Sequence, residues 1–384
     1  MKVLQVHNQY QQGGGEDVVV RSEKLLLEKN SHEVISFYKS NDEIKKYSVA
    51  KKLALLWNTT WSKKYFNELS VELKKVKPDI CHIHNTFPII SPSILYACQL
   101  NKIPIVITLH NYRLICANGQ FFRNGLPCVK CLGSSSIHAI QHACYRNSHI
   151  QSFASANMIE IHKIKKTYTK LPSALICLTE FAKNKFIEFG IPEELLFIKP
   201  NFIFTEQNIE VEKENYFVFI GRLEKAKGTE LLINLNIYIP NIRLKIIGGG
   251  DEEDRLKNQT KYEFTGAITR DKVLSILSKS KALIFTSIWY EGMPLVILEA
   301  FSLGIPVIAS NIGAITEMIN DHKNGLLFES NNVKSLSEKI IWATNNPDEM
   351  KQMGKNAYLD FINKYSSQSN LKLLKNIYEF ALKK

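Results

Sequence analysis

Residues 2–29 read KVLQVHNQYQQGGGEDVVVRSEKLLLEK, an apolar run, a glycine-rich turn and a second run that opens with two acidic residues. The first run is short and apolar, which favours a buried β-strand. The second, which continues as VVVRSEKLLLEK, is predicted as a helix, and Glu16 and Asp17 stand where carboxylates stabilise a helix N-terminus. The segment therefore predicts a strand, a tight turn and a helix, the repeating unit of a parallel α/β sheet.

The same alternation continues along both halves of the chain, and it predicts a parallel, doubly wound sheet in each. The other predicted strands of the first half are HEVISFY (32–38), DICHIHN (79–85), IPIVITLH (103–110), ALICLT (174–179) and LLFIKPN (195–201). Those of the second half are YFVFIGR (216–222), IRLKIIGGG (242–250), YEFTG (262–266), KALIFTS (281–287) and IPVIAS (305–310).

The length of 384 residues exceeds one ordinary hydrophobic core, so we expect two domains. We place the first at 1–203 and the second at 204–364, with a final helix at 365–384 that packs back on the first domain. The polar stretch 202–215 is the predicted linker. Because ligands of open α/β sheets bind beyond the carboxyl ends of strands, we expect loops of both domains to line a cleft.

The composition is that of a globular protein with excess positive charge in its first half. Hydrophobic residues make up 45% and charged residues 22%, and no apolar run reaches the length of a membrane span. Residues 1–200 contain 26 lysines and arginines against 15 aspartates and glutamates, whereas residues 201–384 contain 23 and 22. The N-terminal run is too short for a signal peptide, which predicts a cytoplasmic protein. The positive half predicts an anionic partner, either nucleic acid or a membrane surface.

Residues 42–77 combine lysine pairs with Trp57, Trp61, Tyr65 and Phe66. Aromatic and basic residues on one helix suit the surface of an anionic membrane. An ordinary packed helix with a solvated lysine face gives the same pattern, so both interpretations remain open.

Four of the seven cysteines fall in one 34-residue loop, where Cys116, Cys128, Cys131 and Cys144 form the pattern C-x11-C-x2-C-x12-C. The odd total and the lack of a secretion signal argue against a disulfide framework. A CxxC pair with two further thiols predicts a structural zinc site, in which His138 or His142 is an alternative ligand. An iron–sulfur cluster and four reduced thiols are the other interpretations.

Two motifs of the second half carry charged residues beyond predicted strands. In GRLEKAKG (221–228), Arg222 and Lys227 suit a diphosphate, although surface cations give the same pattern. In TSIWYEGMPLVILE (286–299), Glu291 precedes a predicted helix and Glu299 lies within it. The backbone N–H groups at the start of that helix are available to an anion.

Glycines and histidines end the predicted strands of the first half. GGGED (13–17) suits the approach of a phosphate to a helix N-terminus, although a flexible turn has the same composition. His110 ends the strand in TLHN (108–111), where it can donate a hydrogen bond to a sugar hydroxyl or merely cap the sheet. We expect His82 and His84 on different faces of their strand, with only His84, nearer the strand end, able to reach a ligand.

Taken together, these motifs resemble those of glycosyltransferase family 4, retaining enzymes of the GT-B fold, along nearly the whole chain. The resemblance is strongest over 216–328, where GRLEKAKG, IIGGG, TSIWYEGMPLVILEA, GIPVIAS and HKNGLLF stand in the order of the family. In the first half it rests on GGGE, HIHN and TLHN, and the cysteine loop looks like a feature of one subgroup. The resemblance implies an α/β protein with two Rossmann-like domains facing across a cleft, the first binding the acceptor and the second the nucleotide sugar.

The resemblance also implies roles for the residues that match the motifs of the family. The implied catalytic residues, which contact the donor sugar, are Glu291 and His110. The implied donor-binding residues, which hold the diphosphate and the ribose, are Gly14, Gly15, Arg222, Lys227, Gly292, Met293, Pro294, Leu295 and Glu299. The implied acceptor-side residues are His84 and Asn111.

The implied reaction transfers a sugar from a UDP- or GDP-sugar to a glycan or lipid-linked acceptor of a surface polysaccharide, such as capsule or O-antigen. It would take place at the inner face of the membrane, by front-face displacement with retention of the anomeric configuration. Cations at the diphosphate would stabilise the leaving group. The sequence has no DxD motif, so we expect no metal cofactor for transfer. The basic residues are mainly lysines rather than the arginines typical of nucleic-acid sites, and we expect no nucleic-acid partner. The alternatives are a nucleotide-sugar epimerase of the same fold and a non-catalytic scaffold that binds nucleic acid or membrane.

Overall fold

The computed structural model describes residues 1–11, 13–204 and 212–384. These residues form two compact units. Unit 1 comprises Met1–Phe121, Cys128–Asn201 and Asn370–Lys384, and unit 2 comprises Phe122–Pro127 and Phe202–Ser369. The predicted linker lies partly outside the described residues, because these omit 205–211.

The secondary structure alternates between strands and helices. The strands are β1 Lys2–Gln9, β2 Glu33–Ser40, β3 Ile80–Asn85, β4 Ile105–Leu109, β5 Phe122–Arg123, β6 Leu126–Pro127, β7 Ala174–Cys177, β8 Leu196–Ile198, β9 Phe217–Ile220, β10 Leu244–Ile247, β11 Glu263–Gly266, β12 Leu283–Phe285, β13 Val307–Asn311 and β14 Gly325–Glu329. The helices are α1 Gly15–Lys29, α2 Val49–Asn58, α3 Lys63–Val76, α4 Ser93–Leu100, α5 Ile137–Gln141, α6 His149–Ile164, α7 Thr167–Lys170, α8 Glu180–Glu188, α9 Thr229–Tyr238, α10 Glu253–Gln259, α11 Arg270–Lys279, α12 Leu295–Ser302, α13 Ile315–Met318, α14 Val333–Asn345, α15 Pro347–Asp360 and α16 Ser367–Lys383.

Unit 1 is built on a six-stranded sheet in the order β2-β1-β3-β4-β7-β8, with every neighbouring pair parallel. Every residue of β3 and β4 is buried, as expected for strands covered by helices on both faces. Helix α16 adds Leu374, Ile377 and Tyr378 to this core. Burial of each such large apolar side chain contributes about 1.5–3 kcal/mol, which explains how the C-terminal helix is held in this unit.

Unit 2 contains a second six-stranded parallel sheet, in the order β11-β10-β9-β12-β13-β14. Its core is made by the apolar faces of these strands and of helices α9 and α14, including Leu232, Ile246, Ile284 and Leu336. The predicted strands of both halves are confirmed. Strand β14 and the two-residue strands β5 and β6 were not among the predicted strands.

Each sheet reverses its strand order beside the first strand of its unit. In unit 1 the reversal falls between β1 and β3, and in unit 2 it falls between β9 and β12. Loops leaving the two strands at such a point diverge and leave a crevice at the carboxyl ends of the strands. In unit 2 this geometry places residues 221–228 beside residues 286–292, although they are far apart in sequence.

Candidate functional site

A polar cluster of unit 2 lies at its strand reversal and centres on one carboxylate oxygen. Oε1 of Glu291 accepts hydrogen bonds from Lys227 Nζ at 2.6 Å, Ser287 Oγ at 2.6 Å and Trp289 Nε1 at 2.8 Å. The Glu291 side chain is buried, and the Lys227 ammonium also lies 5.4 Å from the centroid of the Trp289 ring. Lys227 and Glu291, predicted separately from two motifs, therefore form one ion pair.

The loop after β9 fits against the loop after β12 because residue 228 is a glycine. Gly228 has φ +75°, and a Cβ there would lie 2.1 Å from the carbonyl oxygen of Thr286. The hydroxyl of Thr286 donates a 2.7 Å hydrogen bond to the Lys227 carbonyl oxygen. This close backbone approach brings Lys227 within reach of Glu291.

A second glycine contact holds the backbone around Arg222. Gly248 has φ +133°, and a Cβ on it would lie 2.0 Å from the carbonyl oxygen of Gly221. The N–H of Leu223 donates to the carbonyl oxygen of Gly249 at 3.0 Å. The side chain of Arg222 remains largely exposed and pairs with Glu224 at 3.1 Å. Its guanidinium is therefore anchored less firmly than the ammonium of Lys227.

Helix α12 begins at Leu295, directly after the Glu291 loop. Within the described part of the chain, no side chain caps its N-terminus. Glu299 lies one turn into the helix. Its Oε1 forms an ion pair with Nε of Arg270 at 3.2 Å. Burial raises the pKa of Glu299, and Arg270 opposes that shift. The helix start thus offers backbone N–H groups and a carboxylate one turn apart.

The glycine loop of unit 1 leads into helix α1, where the Asp17 side chain caps the backbone of Gly14. The N–H of Gly14 donates to Asp17 Oδ2 at 3.0 Å, and Asp17 Oδ1 lies 2.8 Å from His7 Nε2. A Cβ on Gly13 or Gly14 would meet no heavy atom of the described residues within 4 Å, and Gly14 has an ordinary φ of −135°. The described fold therefore leaves room for a Cβ at Gly13 and Gly14, whereas it requires glycine at position 228.

Glu16 lies in the first turn of α1 beside two polar side chains. Its Oε2 accepts a 3.1 Å hydrogen bond from the Tyr10 hydroxyl and a longer one of 3.5 Å from Asn111 Nδ2. Burial, with Asp17 nearby, raises the pKa of Glu16 to about 8, against the opposing hydrogen bond from Tyr10. Within the described residues, its Oε1 has no hydrogen-bond partner. The group is thus a largely neutral carboxyl at pH 7.

His82 and His84 form a buried group with Glu23 of α1, and the half-buried His110 adjoins this group. Glu23 Oε1 lies 3.0 Å from His82 Nδ1 and 3.1 Å from His84 Nε2, and His84 Nδ1 lies 2.9 Å from His110 Nε2. The expectation that His82 and His84 lie on different faces is wrong, because residues i and i+2 of a strand share a face. Their rings are tilted by 30° with centroids 4.3 Å apart.

Burial lowers the pKa of His84 to about 3, with His82 adding to the effect. Burial, His84 and His7 together hold the pKa of His110 well below its usual range. Both rings are therefore neutral at physiological pH. Asn111, predicted on the acceptor side with His84, contacts Tyr10 at 3.3 Å and Glu16.

Comparison with known proteins assigns the chain to a family. The model of Glycosyltransferase Family 4 matches residues 13–207, half of the chain, and that of Glycosyl transferases group 1 matches residues 202–360. The chain belongs to glycosyltransferase family 4. The family predicted from the sequence motifs is thereby confirmed.

Two curated relatives of this family 4 chain show how far the similarity extends. An uncharacterized glycosyltransferase of Methanocaldococcus jannaschii is 27% identical over 58% of this chain and 64% of its own length. The UDP-Gal:alpha-D-GlcNAc-diphosphoundecaprenol alpha-1,3-galactosyltransferase of Escherichia coli is 30% identical over 43% of this chain and 46% of its own length. The chain thus spans about half to two thirds of the length of these relatives.

A solved structure supports the fold of the family 4 chain. HepE of Anabaena, in complex with UDP-glucose, aligns with a TM-score of 0.66 at 15% identity and covers 99% of this chain and 100% of its own. With two doubly wound parallel sheets in the described residues, the predicted GT-B class of α/β fold is confirmed.

The cysteine loop of the family 4 chain gathers its four thiols within unit 1. Burial raises the pKa of Cys131 to about 12, and the nearby thiols of Cys116, Cys144 and Cys128 add to that shift. Cys131 and Cys144 both pack against a cluster that includes Ala139, whose carbonyl oxygen accepts from the Cys144 N–H at 3.0 Å.

The sulfurs of this loop do not form a closed metal site in the structure. Among the described residues, ligand atoms lie close enough together to share an ion only at Glu23, His82 and His84. A tetrahedral zinc with bonds of about 2.3 Å would hold its sulfurs roughly 3.8 Å apart, so zinc binding would require the cysteine side chains to move together.

Three partners in these clusters were not predicted from the sequence. Ser287 and Trp289 lie in the motif TSIWYEGMPLVILE, four and two residues before Glu291. Their side-chain types and this spacing were the only features of the sequence that could have indicated them as partners of Glu291. Glu23 stands in a helix with other charged residues, and nothing in its sequence context distinguishes it from a solvated glutamate.

Proposed function

We propose that this protein is a retaining glycosyltransferase that moves a sugar from a nucleoside-diphosphate sugar to a glycan or lipid-linked acceptor of a surface polysaccharide. The observation that carries the proposal is the Lys227–Glu291 pair at the strand reversal of unit 2, beside an N-terminus of α12 that no described side chain caps. Cations and the backbone N–H groups of a helix N-terminus suit an anionic ligand.

Lys227 and Arg222 are proposed to bind the donor diphosphate. As the bond between sugar and diphosphate breaks, negative charge grows on the leaving group, and fixed cations stabilise it. Lys227 is positioned for this task by its ion pair with the buried Glu291, whereas Arg222 is exposed and can close onto a ligand as it leaves Glu224. Glu299 is proposed to accept hydrogen bonds from the ribose hydroxyls.

Glu291 is proposed to position groups rather than to attack the sugar. Its Oε1 accepts three hydrogen bonds, which delocalise charge away from that oxygen and make it a poor nucleophile. Displacement on the front face needs no enzyme nucleophile, because the acceptor hydroxyl arrives on the side from which the diphosphate leaves. The anomeric configuration is then retained, and no metal ion takes part in transfer.

The relatives support the substrate class. The Escherichia coli relative is named for the transfer of galactose from UDP-galactose to a sugar on a diphosphoundecaprenol lipid. HepE was solved with UDP-glucose. We infer from these two proteins that the donor is a UDP-sugar or a similar nucleotide sugar and that the acceptor is a glycan or lipid-linked sugar.

A surface of unit 1 supports action at the inner face of a membrane. Helix α2 buries none of its residues, and Val49, Leu53 and Trp57 repeat every four positions along it with exposed fractions of 75%, 59% and 63%. Trp57 packs edge-on against Phe153 of α6 at 6.0 Å. Exposed lysines lie on this helix or close to it in the sequence, at positions 45, 46, 51, 52, 63 and 64. Exposed apolar and basic groups together suit an anionic bilayer surface.

No helix among the described residues is both long and apolar enough to cross a bilayer. We propose a peripheral contact, made by the exposed face of α2. It is tested by sedimentation with vesicles of phosphatidylcholine alone or mixed with phosphatidylglycerol. Binding to the anionic vesicles that Leu53→Ser and Trp57→Ser reduce, and that Ile237→Ser in unit 2 leaves unchanged, supports it. Equal binding of all variants contradicts it.

The proposed reaction is tested by incubating the protein with a panel of UDP-, GDP- and ADP-sugars and synthetic lipid-linked sugar acceptors, with and without a chelator. A glycosylated product with the anomeric configuration of the donor, formed equally in the chelator, supports the proposal. An inverted product contradicts the mechanism. A donor converted to its epimer without transfer would instead identify an epimerase.

A further inference from the structure

We propose that Glu23 acts through His84 to fix the tautomer of His110, so that His110 presents an unprotonated Nδ1 to a ligand. The three side chains form a chain of polar contacts within unit 1, from helix α1 through strand β3 to the residue after β4. The steps are 3.1 Å from Glu23 Oε1 to His84 Nε2 and 2.9 Å from His84 Nδ1 to His110 Nε2.

Glu23 is ionised in this interior. Burial alone would raise its pKa, but the neighbouring His82, Lys199 and His84 hold the pKa of Glu23 well below its usual range. The ammonium of Lys199 lies 3.0 Å from Glu23 Oε2, and both side chains are fully buried. A carboxylate has only acceptors to offer, so each imidazole nitrogen that contacts it must carry the proton.

The direction of every following hydrogen bond is then determined. Nε2–H of His84 donates to Glu23, and because the His84 ring is neutral, its Nδ1 carries only a lone pair. Nδ1 can therefore only accept, and His110 Nε2–H donates to it. His110 is neutral as well, so its second nitrogen, Nδ1, is an acceptor.

The opposite arrangement is excluded by the charge on Glu23. Gln5 Nε2 lies 3.1 Å from His84 Nε2, and an unprotonated His84 Nε2 would accept from that amide. It would then direct a lone pair at the Glu23 carboxylate 3.1 Å away, with a high electrostatic penalty in a buried site. The Gln5 amide does not need His84 as an acceptor, because its Nε2 lies 3.4 Å from both the Val20 carbonyl oxygen and Glu23 Oε1, while its carboxamide oxygen accepts from the Tyr38 hydroxyl.

A metal ion does not explain this cluster better. Glu23, His82 and His84 are close enough to share one, but each of the three ligand atoms already has a protein partner. His82 Nδ1 also contacts the Tyr378 hydroxyl at 2.8 Å. A divalent ion would have to be placed beside the buried ammonium of Lys199, which already neutralises the carboxylate.

The consequence for catalysis rests on the proposed function. A sugar hydroxyl in contact with His110 would donate a hydrogen bond to Nδ1. The sequence alone indicated the opposite direction, with His110 as the donor. Glu23 and His84 are thus positioning residues, and His110 is the group that touches substrate. The charged and titratable groups around His110 are His84 from β3, His7 from β1, Glu23 from α1 and Lys199 beyond β8.

The test is the protonation of His110 nitrogens, read by two-dimensional 1H–15N NMR of histidine-labelled protein, with His110→Gln used to assign the signal. The wild type should show a protonated Nε2 and an unprotonated Nδ1. In Glu23→Gln the new amide can donate to His84 Nε2, so the chain reverses and His110 should become protonated at Nδ1. His82→Gln, which alters another contact of Glu23 but none of His110, is the matched control.

Glu23→Gln removes the negative charge that neutralises the buried ammonium of Lys199, so the double variant Glu23→Gln/Lys199→Met is made as well. A wild-type His110 protonated at Nδ1, or an unchanged signal in both folded variants, overturns the proposal. The NMR result needs no substrate, so it stands even where no transfer is found. With a working assay, kcat of Glu23→Gln should fall about 10- to 100-fold, the usual effect of losing an orienting partner, with nucleotide affinity unchanged.

Discussion

Lys227 and Glu291 are 64 positions apart in sequence, and their side chains meet at 2.6 Å. The contact exists because β9 and β12 are neighbours in the sheet and their loops leave from the same edge. The hydroxyl of Ser287 and the indole N–H of Trp289 also donate to Oε1 of Glu291. This oxygen is thereby fixed in place and holds the Lys227 ammonium from one side. The opposite side of a lysine ammonium retains donors for a ligand anion.

The Glu291→Gln variant should lower kcat/KM for sugar transfer by about 10²- to 10³-fold, the range for loss of one preorganised electrostatic contact. The amide keeps one acceptor for Ser287 and Trp289 but no charge to orient Lys227. The rate of transfer and the thermal unfolding midpoint are measured together. Glu230→Gln, which removes the partner of Arg255 on the surface of unit 2, is the control. Near-normal activity of Glu291→Gln would remove this residue from the site.

Gly228→Ala should destabilise the protein more than Gly266→Ala. Both glycines have a left-handed backbone, with φ +75° and +68°, which costs an L-residue about 1–2 kcal/mol. Only the Cβ at 228 would overlap the Thr286 carbonyl oxygen, whereas that at 266 meets nothing within 4 Å. The overlap should add about 1–3 kcal/mol to the loss of unfolding free energy, measured in urea. Equal losses would show that the close approach of the two loops is not required.

Glu16→Gln should change how stability depends on pH. The carboxyl of the unfolded chain ionises near pH 4.5, whereas the folded-state pKa of Glu16 is raised to about 8. Between these values the folded state holds more protons, so raising the pH lowers the unfolding free energy of the wild type. The variant lacks this loss, and its stability relative to wild type should rise from pH 5 to pH 8 and then level off.

The matched control for this titration is Glu28→Gln, at the exposed end of the same helix. Unfolding in urea is measured at each pH for the three proteins. A relative stability of Glu16→Gln that does not vary with pH would show that Glu16 ionises normally. The buried histidines titrate alike in the three proteins. Subtracting the wild-type curve therefore removes their contribution to the pH dependence of the unfolding free energy.

Zinc should accompany the protein in stoichiometric amount when it is purified in a reducing buffer without chelator. Binding to thiolates overcomes the raised pKa of Cys131 and releases protons. The metal content, measured by inductively coupled plasma mass spectrometry, should be lost in Cys131→Ser and kept in Cys98→Ala, which lies outside the loop in α4. Wild-type protein with only trace zinc contradicts the predicted site, and iron in its place would indicate a cluster.

The regular elements were predicted well because runs of valine, isoleucine and leucine mark strands that are buried on both faces. Strand β14 was missed as a separate strand because GLLFE is short and follows a polar turn. The pairing of Lys227 with Glu291 could not be predicted, since it depends on which strands become neighbours in the sheet. Sequence spacing identified both residues but carried no information on their distance.

The polar interior of unit 1 was the hardest part to predict. Glu23 is a buried ion that looks like a surface glutamate, and its partner Lys199 is 176 positions away. His82 and His84 were placed on different faces through a wrong use of strand periodicity. Networks of this kind join residues from several elements, so local sequence patterns do not reveal them.

The most direct test of the account is calorimetric titration of the wild type with UDP, GDP and ADP, compared with Lys227→Met, Arg222→Ala and the surface control Arg255→Met. We predict that one nucleotide binds the wild type and Arg255→Met alike, that Lys227→Met loses at least about tenfold in affinity and that Arg222→Ala loses less, since each lost charge-assisted bond costs about 1.5–3 kcal/mol. Binding that Lys227→Met leaves unchanged, or no binding of any nucleotide to the wild type, would contradict the proposed donor site.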